Sequence, residues 1–149
     1  MNDAQRQAVR RVLETPRYEL MPMRGALDAA RRLPVDTQIT ITCSPSRGVA
    51  PTLALAEQLS AFGYRVVPHL AARRFESRAH LQDIVARLHT AGIRDVFVVG
   101  GDGNASAGPF AAGADLIEAL AEIAPHLCSV GFPCCPEGHA AISARLLDE

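Results

Sequence analysis

Tryptophan is absent from this chain, and aromatic residues make up only 5% of it. Single-strand nucleic-acid grooves stack bases on aromatic side chains, so a stacking platform is not expected. Charge of either sign is also in short supply as an excess: 15 Lys+Arg stand against 16 Asp+Glu, a net charge of −1. A protein that grips the phosphate backbone carries a basic surplus, so no nucleic-acid partner is expected. No apolar run approaches the roughly 18 residues of a spanning helix, so no membrane partner is expected either. Met1 to Arg11 is polar and mixed in charge, without the apolar stretch of a secretory leader. Cys43, Cys128, Cys134 and Cys135 lack the spacing of a disulfide framework. Reduced thiols and a cytoplasmic location follow as expectations. What is present is enough apolar material for a core: 48% hydrophobic and 21% charged over 149 residues, the size of one ordinary domain.

The chain repeats a unit. Short β-type runs occur at Tyr18–Met21, Gln38–Thr42, Tyr64–Val67, Asp95–Val99 and Cys128–Phe132, bounded by Gly, Pro or Ser. Their composition suits strands buried on both faces. Between them lie helix-period apolar faces: Leu53, Leu55, Ala56, Leu59 and Phe62; then Leu81, Ile84, Val85 and Leu88; then Leu116, Ile117, Leu120 and Ile123. Gly63 and Gly92 stand where helices should stop. An N-terminal helix is expected within residues 1–16. Strands alternating with helices predict an α/β fold of parallel βα repeats with right-handed crossovers. The strand ends at Thr42, Val67, Val99 and Phe132 fall 25, 32 and 33 residues apart. An eight-unit (β/α)₈ barrel averages about 31 residues per unit. Residues 1–149 therefore read as a single βα-repeat domain of about five strands. Two architectures are open: an incomplete barrel, or an open doubly wound five-stranded sheet. In the first, an unpaired sheet edge predicts self-association into a homo-oligomer.

Parallel α/β folds bind ligands at the carboxyl ends of their strands. The loops at that end carry Arg24, Cys43-Ser44-Pro45-Ser46-Arg47, Pro68-His69 through Arg73-Arg74, Gly100-Gly101-Asp102-Gly103-Asn104 and Cys134 to His139. The loops at the opposite end are brief and bland. Glu19, Thr42, His69, Asp102, Glu137 and His139 thus gather on one side, and a carboxylate such as Glu19 on a buried-type strand is costly unless paired or functional. Ser44 and Asn104 read equally well as helix caps. Arg47, Arg73 and Arg74 are placed to meet an anion, a pyrophosphate or a glutamate tail, with solvated charge the stronger reading for Arg74. The Gly-Gly-Asp-Gly turn resembles that of NAD-kinase and phosphofructokinase-type enzymes, which makes a phosphotransferase one alternative. A tight turn needing positive φ explains it at least as well. No metal is expected, because adjacent Cys134 and Cys135 ligate one ion poorly and lack a Cys-x-x-Cys partner.

Taken in order, the strand ends resemble methylenetetrahydrofolate reductase, a (β/α)₈ flavoenzyme of one-carbon metabolism. Tyr18-Glu19-Leu20-Met21-Pro22 is similar to that family's first strand with its catalytic glutamate. Ile41-Thr42 is similar to the second, Pro68-His69-Leu70 to the third, Gly101-Asp102 to the fourth and Pro136-Glu137-Gly138-His139 to the fifth. The resemblance spans about residues 17–140. It implies a folate substrate, FAD as cofactor, and NADH or NADPH as hydride donor. It also implies Glu19 as general acid, Asp102 beside flavin or folate, and Thr42, His69, Gly101, Asp102 and His139 lining the cofactor pocket. Three departures touch the flavin side: Gly100 stands in place of an arginine, Cys135 in place of an aromatic residue, and Cys43-Ser44-Pro45-Ser46-Arg47 in place of a Tyr-Gly loop. A divergent reductase in which reduced nicotinamide passes hydride directly to folate is the reading that accommodates them. A non-catalytic half-barrel module is the remaining alternative.

Overall fold

A computed structural model of the chain describes residues 1–102 and 105–134. Helix α1 (Asp3–Glu14) opens on a capping box, in which Asn2 accepts from the Gln5 backbone N–H while the Gln5 side chain accepts from that of Asn2. None of its residues is buried. The elements that follow are β1 (Arg17–Leu20), α2 (Ala26–Ala30), β2 (Gln38–Ile41), α3 (Ala50–Ala61), β3 (Arg65–Ala71) and a 3₁₀ turn (Ala72–Arg74). Next come α4 (Arg78–Thr90), β4 (Asp95–Val99), α5 (Gly113–Ile123) and β5 (Ser129–Gly131).

Among the described residues all four strand pairings are parallel, in the order β1-β2-β3-β4-β5. As far as the described residues go the sheet is open, as in the second architecture. Its order is sequential throughout, as in a barrel, without the reversal that defines a doubly wound sheet. Sequential order with right-handed crossovers puts every crossover helix on one face. The core obeys this: Ile39, Ile41, Leu70, Val96 and Val98 from the strands join Leu53, Leu59, Leu81, Leu88, Leu116 and Leu120 from the helices, each almost wholly excluded from solvent. The predicted apolar faces are therefore the packed faces, except that Phe62, at the end of α3, is exposed beneath the Arg31 guanidinium. Gly63 and Gly92 end their helices with φ of 86° and 69°, a left-handed conformation that costs glycine nothing. Tyr64 donates a buried 2.8 Å hydrogen bond to the Ala30 carbonyl, which also accepts from the Leu33 N–H, and so ties the end of α2 to the start of β3.

Strand β3 runs to Ala71, past the point where the sequence predicts a loop after Val67. Proline lacks the N–H that a central strand needs, and Pro68 would be expected to stop it. The register shows why it does not. Residues Arg65 to Pro68 pair with β2, while His69 to Ala71 pair with β4. Pro68 stands where one ladder hands over to the next, and His69 consequently lies within a strand rather than in the loop.

Burial on both faces does not hold for the outer strands. Arg17, Tyr18 and Glu19 of β1 are exposed, as is Ser129 of β5. In the sheet's middle, Thr40 and Val67 are buried on the helix-free side.

Candidate active site

Side chains alternate along a strand, so the helix-free face collects every second residue. On β1 these are Arg17 and Glu19; on β2, Gln38 and Thr40; on β3, Arg65, Val67 and His69; on β4, Asp95, Phe97 and Val99. The register aligns Glu19 with Thr40 and Thr40 with Val67. Glu19 and His69 share this face closely enough for the carboxylate to act on the imidazole. Burial pushes the His69 imidazole down from its ordinary value, and the charge of Glu19 pulls it back up by less. The His69 ring also lies against Phe97, with centroids 4.9 Å apart and planes tilted by 32°.

Glu19 is exposed, contrary to the burial expected of it, because β1 is an edge strand with a neighbour on one side only. Thr42 follows β2 and is half-buried; its backbone N–H donates to the Leu20 carbonyl at 3.0 Å, and its own carbonyl accepts from the Thr52 hydroxyl at 2.8 Å. The end of β2 is thereby tied both to β1 and to the first turn of α3. Gly101 has φ of 88°, and a Cβ there would come within 3.2 Å of the Ala71 Cβ, so the turn after β4 needs glycine for conformation and for space. Asp102 is exposed beyond that turn, and no contact joins it to Glu19 or His69 among the described residues. Gly103, Asn104, Cys135, Glu137 and His139 lie outside the described residues.

The arginines divide. Arg73 donates through Nε to the Ala111 carbonyl at 2.8 Å, and Arg74 through Nη2 to the Asp102 carbonyl at 3.1 Å. Arg74 is half-buried and clamps the turn after β4 rather than standing as a solvated charge. The flavin implied by the resemblance needs donors for its pyrophosphate near this turn. Gly100 provides no side chain there, and Arg73 and Arg74 each direct one donor to a loop carbonyl. Ser44 is not a helix cap: α3 begins after Val49 without a side-chain cap, and Ser44 instead closes a small loop by accepting from the Arg47 and Gly48 N–H groups. Cys43 is half-buried, and burial pushes its thiol up, against smaller opposing effects of the Ala71 backbone, Thr52 and Arg74. It stays protonated at neutral pH, which makes it a poor nucleophile.

Three features escape the sequence reading. The Thr40 hydroxyl, beside Glu19 in the register, is buried and has no hydrogen-bond partner among the described residues. Phe97 backs His69. The amino ends of the strands, expected to be bland, line a cavity of about 290 Å³ with Arg17, Gln38, Arg65, Asp95 and Ser129. Counting every second residue from Glu19 and His69 would have exposed all three, since the polar strand residues share one parity. Among the described residues, no helix is long and apolar enough to cross a membrane. No known protein-family model matches this chain.

Proposed function

We propose that the chain is a methylenetetrahydrofolate reductase-like oxidoreductase, reducing 5,10-methylenetetrahydrofolate to 5-methyltetrahydrofolate with NADH or NADPH. The observation that carries the reading is the placement of Glu19 and His69 on one helix-free sheet face, with Thr42 and the Asp102 turn at the same end of the strands. Glu19 donates a proton to the folate nitrogen that leaves as the methylene bridge opens, which produces an iminium on the other nitrogen. Hydride from the nicotinamide then adds to the iminium carbon. That carbon becomes the methyl group, the nicotinamide is oxidised, and Glu19 regains its proton from solvent. The exposed position of Glu19 suits that exchange with water. The His69–Phe97 pair offers an aromatic surface for a planar ring, and a largely neutral imidazole does not repel an iminium.

The phosphotransferase alternative has less support, because Gly101 takes φ of 88° and Arg74 holds the Asp102 carbonyl, as a tight turn requires. The test is turnover of 5,10-methylenetetrahydrofolate by the full chain, followed through loss of reduced nicotinamide. Glu19→Gln should lower kcat by about 10²-fold or more, with folate binding retained. Wild-type protein that binds folate without turnover would favour the non-catalytic module. ATP- and Mg²⁺-dependent phosphate transfer would favour the kinase. A stoichiometric flavin absorbance in the purified protein would overturn direct hydride transfer.

A further inference from the structure

Charges of opposite sign face one cavity at the amino ends of the strands without meeting each other. The space, of about 290 Å³, is lined by Arg17, Gln38, Arg65, Asp95 and Ser129. Register explains how they gather. Arg17 pairs with Gln38 and Gln38 with Arg65, so one row crosses β1, β2 and β3, while Asp95 pairs with Ser129 across β4 and β5. Neighbouring strands lie roughly 4.8 Å apart, which sets the backbones of Arg17 and Arg65 about 10 Å from one another with Gln38 between them. Arg17 Nε donates to Gln38 Oε1 at 3.0 Å. That bond leaves the Gln38 amide nitrogen as a donor beside the terminal nitrogens of Arg17. The side chains of Arg65, Asp95 and Ser129 make no hydrogen bond or ion pair among the described residues.

A guanidinium and a carboxylate that line one space and yet stay apart complement a ligand that itself carries both signs. Arg17 and Arg65 against Asp95 leave one positive charge in excess. A ligand with two carboxylates and one ammonium neutralises it. The rest of the wall is apolar: Val67 and Phe97 line it, and the Phe97 ring lies across Gly131, where a Cβ would come within 2.7 Å of the ring. A short methylene chain between charged groups suits that wall. Strand backbone carries all of these residues, so little order has to be gained on binding. We propose that this cavity binds a free amino dicarboxylic acid of the size of aspartate or glutamate. One carboxylate meets Arg17 and the Gln38 amide, the other meets Arg65, and the ammonium meets Asp95 and the Ser129 hydroxyl. The site lies at the other end of the strands from Thr42 and the Asp102 turn, and it does not depend on the reductase reading.

The test is calorimetry on the full chain with L-aspartate and L-glutamate as probes. Succinate and glutarate serve as partners lacking the ammonium, L-alanine and L-2-aminobutyrate as partners lacking the second carboxylate, and inorganic phosphate as a simple anion. At least one acidic amino acid should bind roughly tenfold more tightly than either of its truncated partners, the factor expected of one charge-assisted contact. Asp95→Asn should abolish the preference over the dicarboxylate while keeping that over the neutral amino acid. Arg65→Gln should do the reverse. Thermal unfolding without ligand should be unaltered in both, since neither side chain has a partner to lose. Should one variant fail to fold, the other still decides, because each removes a different preference. Wild type that binds dicarboxylate and amino acid equally, or a folded variant that keeps both preferences, would overturn the assignment. Phosphate bound as tightly as the amino acids would overturn it in favour of a simple anion site. No saturable binding of either acidic amino acid would overturn it outright.

Discussion

The imidazole of His69 is pressed against Phe97 and partly removed from water, while Glu19 offers it a charge, and burial is the larger influence. Unfolded, the same ring takes up its proton near pH 6.5; folded, it resists protonation until lower pH. The unfolded state therefore binds more protons as pH falls below 6.5, and His69 makes folding less favourable there while contributing nothing above. Between pH 7.5 and 5.5 the Tm of wild type should drop further than that of His69→Gln; equal drops would contradict this account. Single residues were unevenly legible in the sequence. Glu19, Thr42 and His69 could be singled out because polar groups at strand ends stand out against apolar runs. The exposure of Glu19 could not, because local composition does not say which strand will form an edge. Arg74 was misread for a related reason: its partner, the Asp102 carbonyl, is 28 residues away and a backbone atom.

Helices were the most legible elements. Leu81, Ile84, Val85 and Leu88 of α4 repeat at helical spacing, and all four are buried. Sequence also marks the start of α4, since Ser77 accepts a 3.0 Å hydrogen bond from the His80 N–H and satisfies a donor the helix leaves free. Ser77→Ala should destabilise the protein by about 1 kcal/mol in urea unfolding, whereas Ser77→Asp should keep most of the cap. An unchanged midpoint in the alanine variant would show that the cap is immaterial. Strand β3 was less legible, because Pro68 carries a local stop signal that the tertiary register cancels. A handover between two ladders depends on how neighbouring strands are staggered, and no window of a dozen residues contains that information.

At the scale of the molecule, repeat spacing was enough to predict parallel βα units, and the sequential order of the sheet fits them. Whether the sheet opens or closes was not legible from spacing, because both forms use the same unit. Strands β1 and β5 each have one strand neighbour among the described residues. Unpaired edges offer rows of free N–H and C=O groups. We expect concentration-dependent self-association in sedimentation velocity, and a monodisperse monomer across the range would contradict it. The placement of every crossover helix on one side has a different consequence, for how such a sequence can drift. Ile39, Ile41, Leu70, Val96 and Val98 hold the architecture, and truncating Ile39, Ile41 or Leu70 to alanine costs about 2–5 kcal/mol. Exposed strand residues of the opposite parity, such as Glu19, Arg65 and Ser129, belong to the other side, where substitutions commonly cost within about 0.5 kcal/mol. Adjacent codons therefore answer to separate demands, one to persistence of the scaffold and the other to chemistry. A lineage can revise what this surface recognises while inheriting its framework intact.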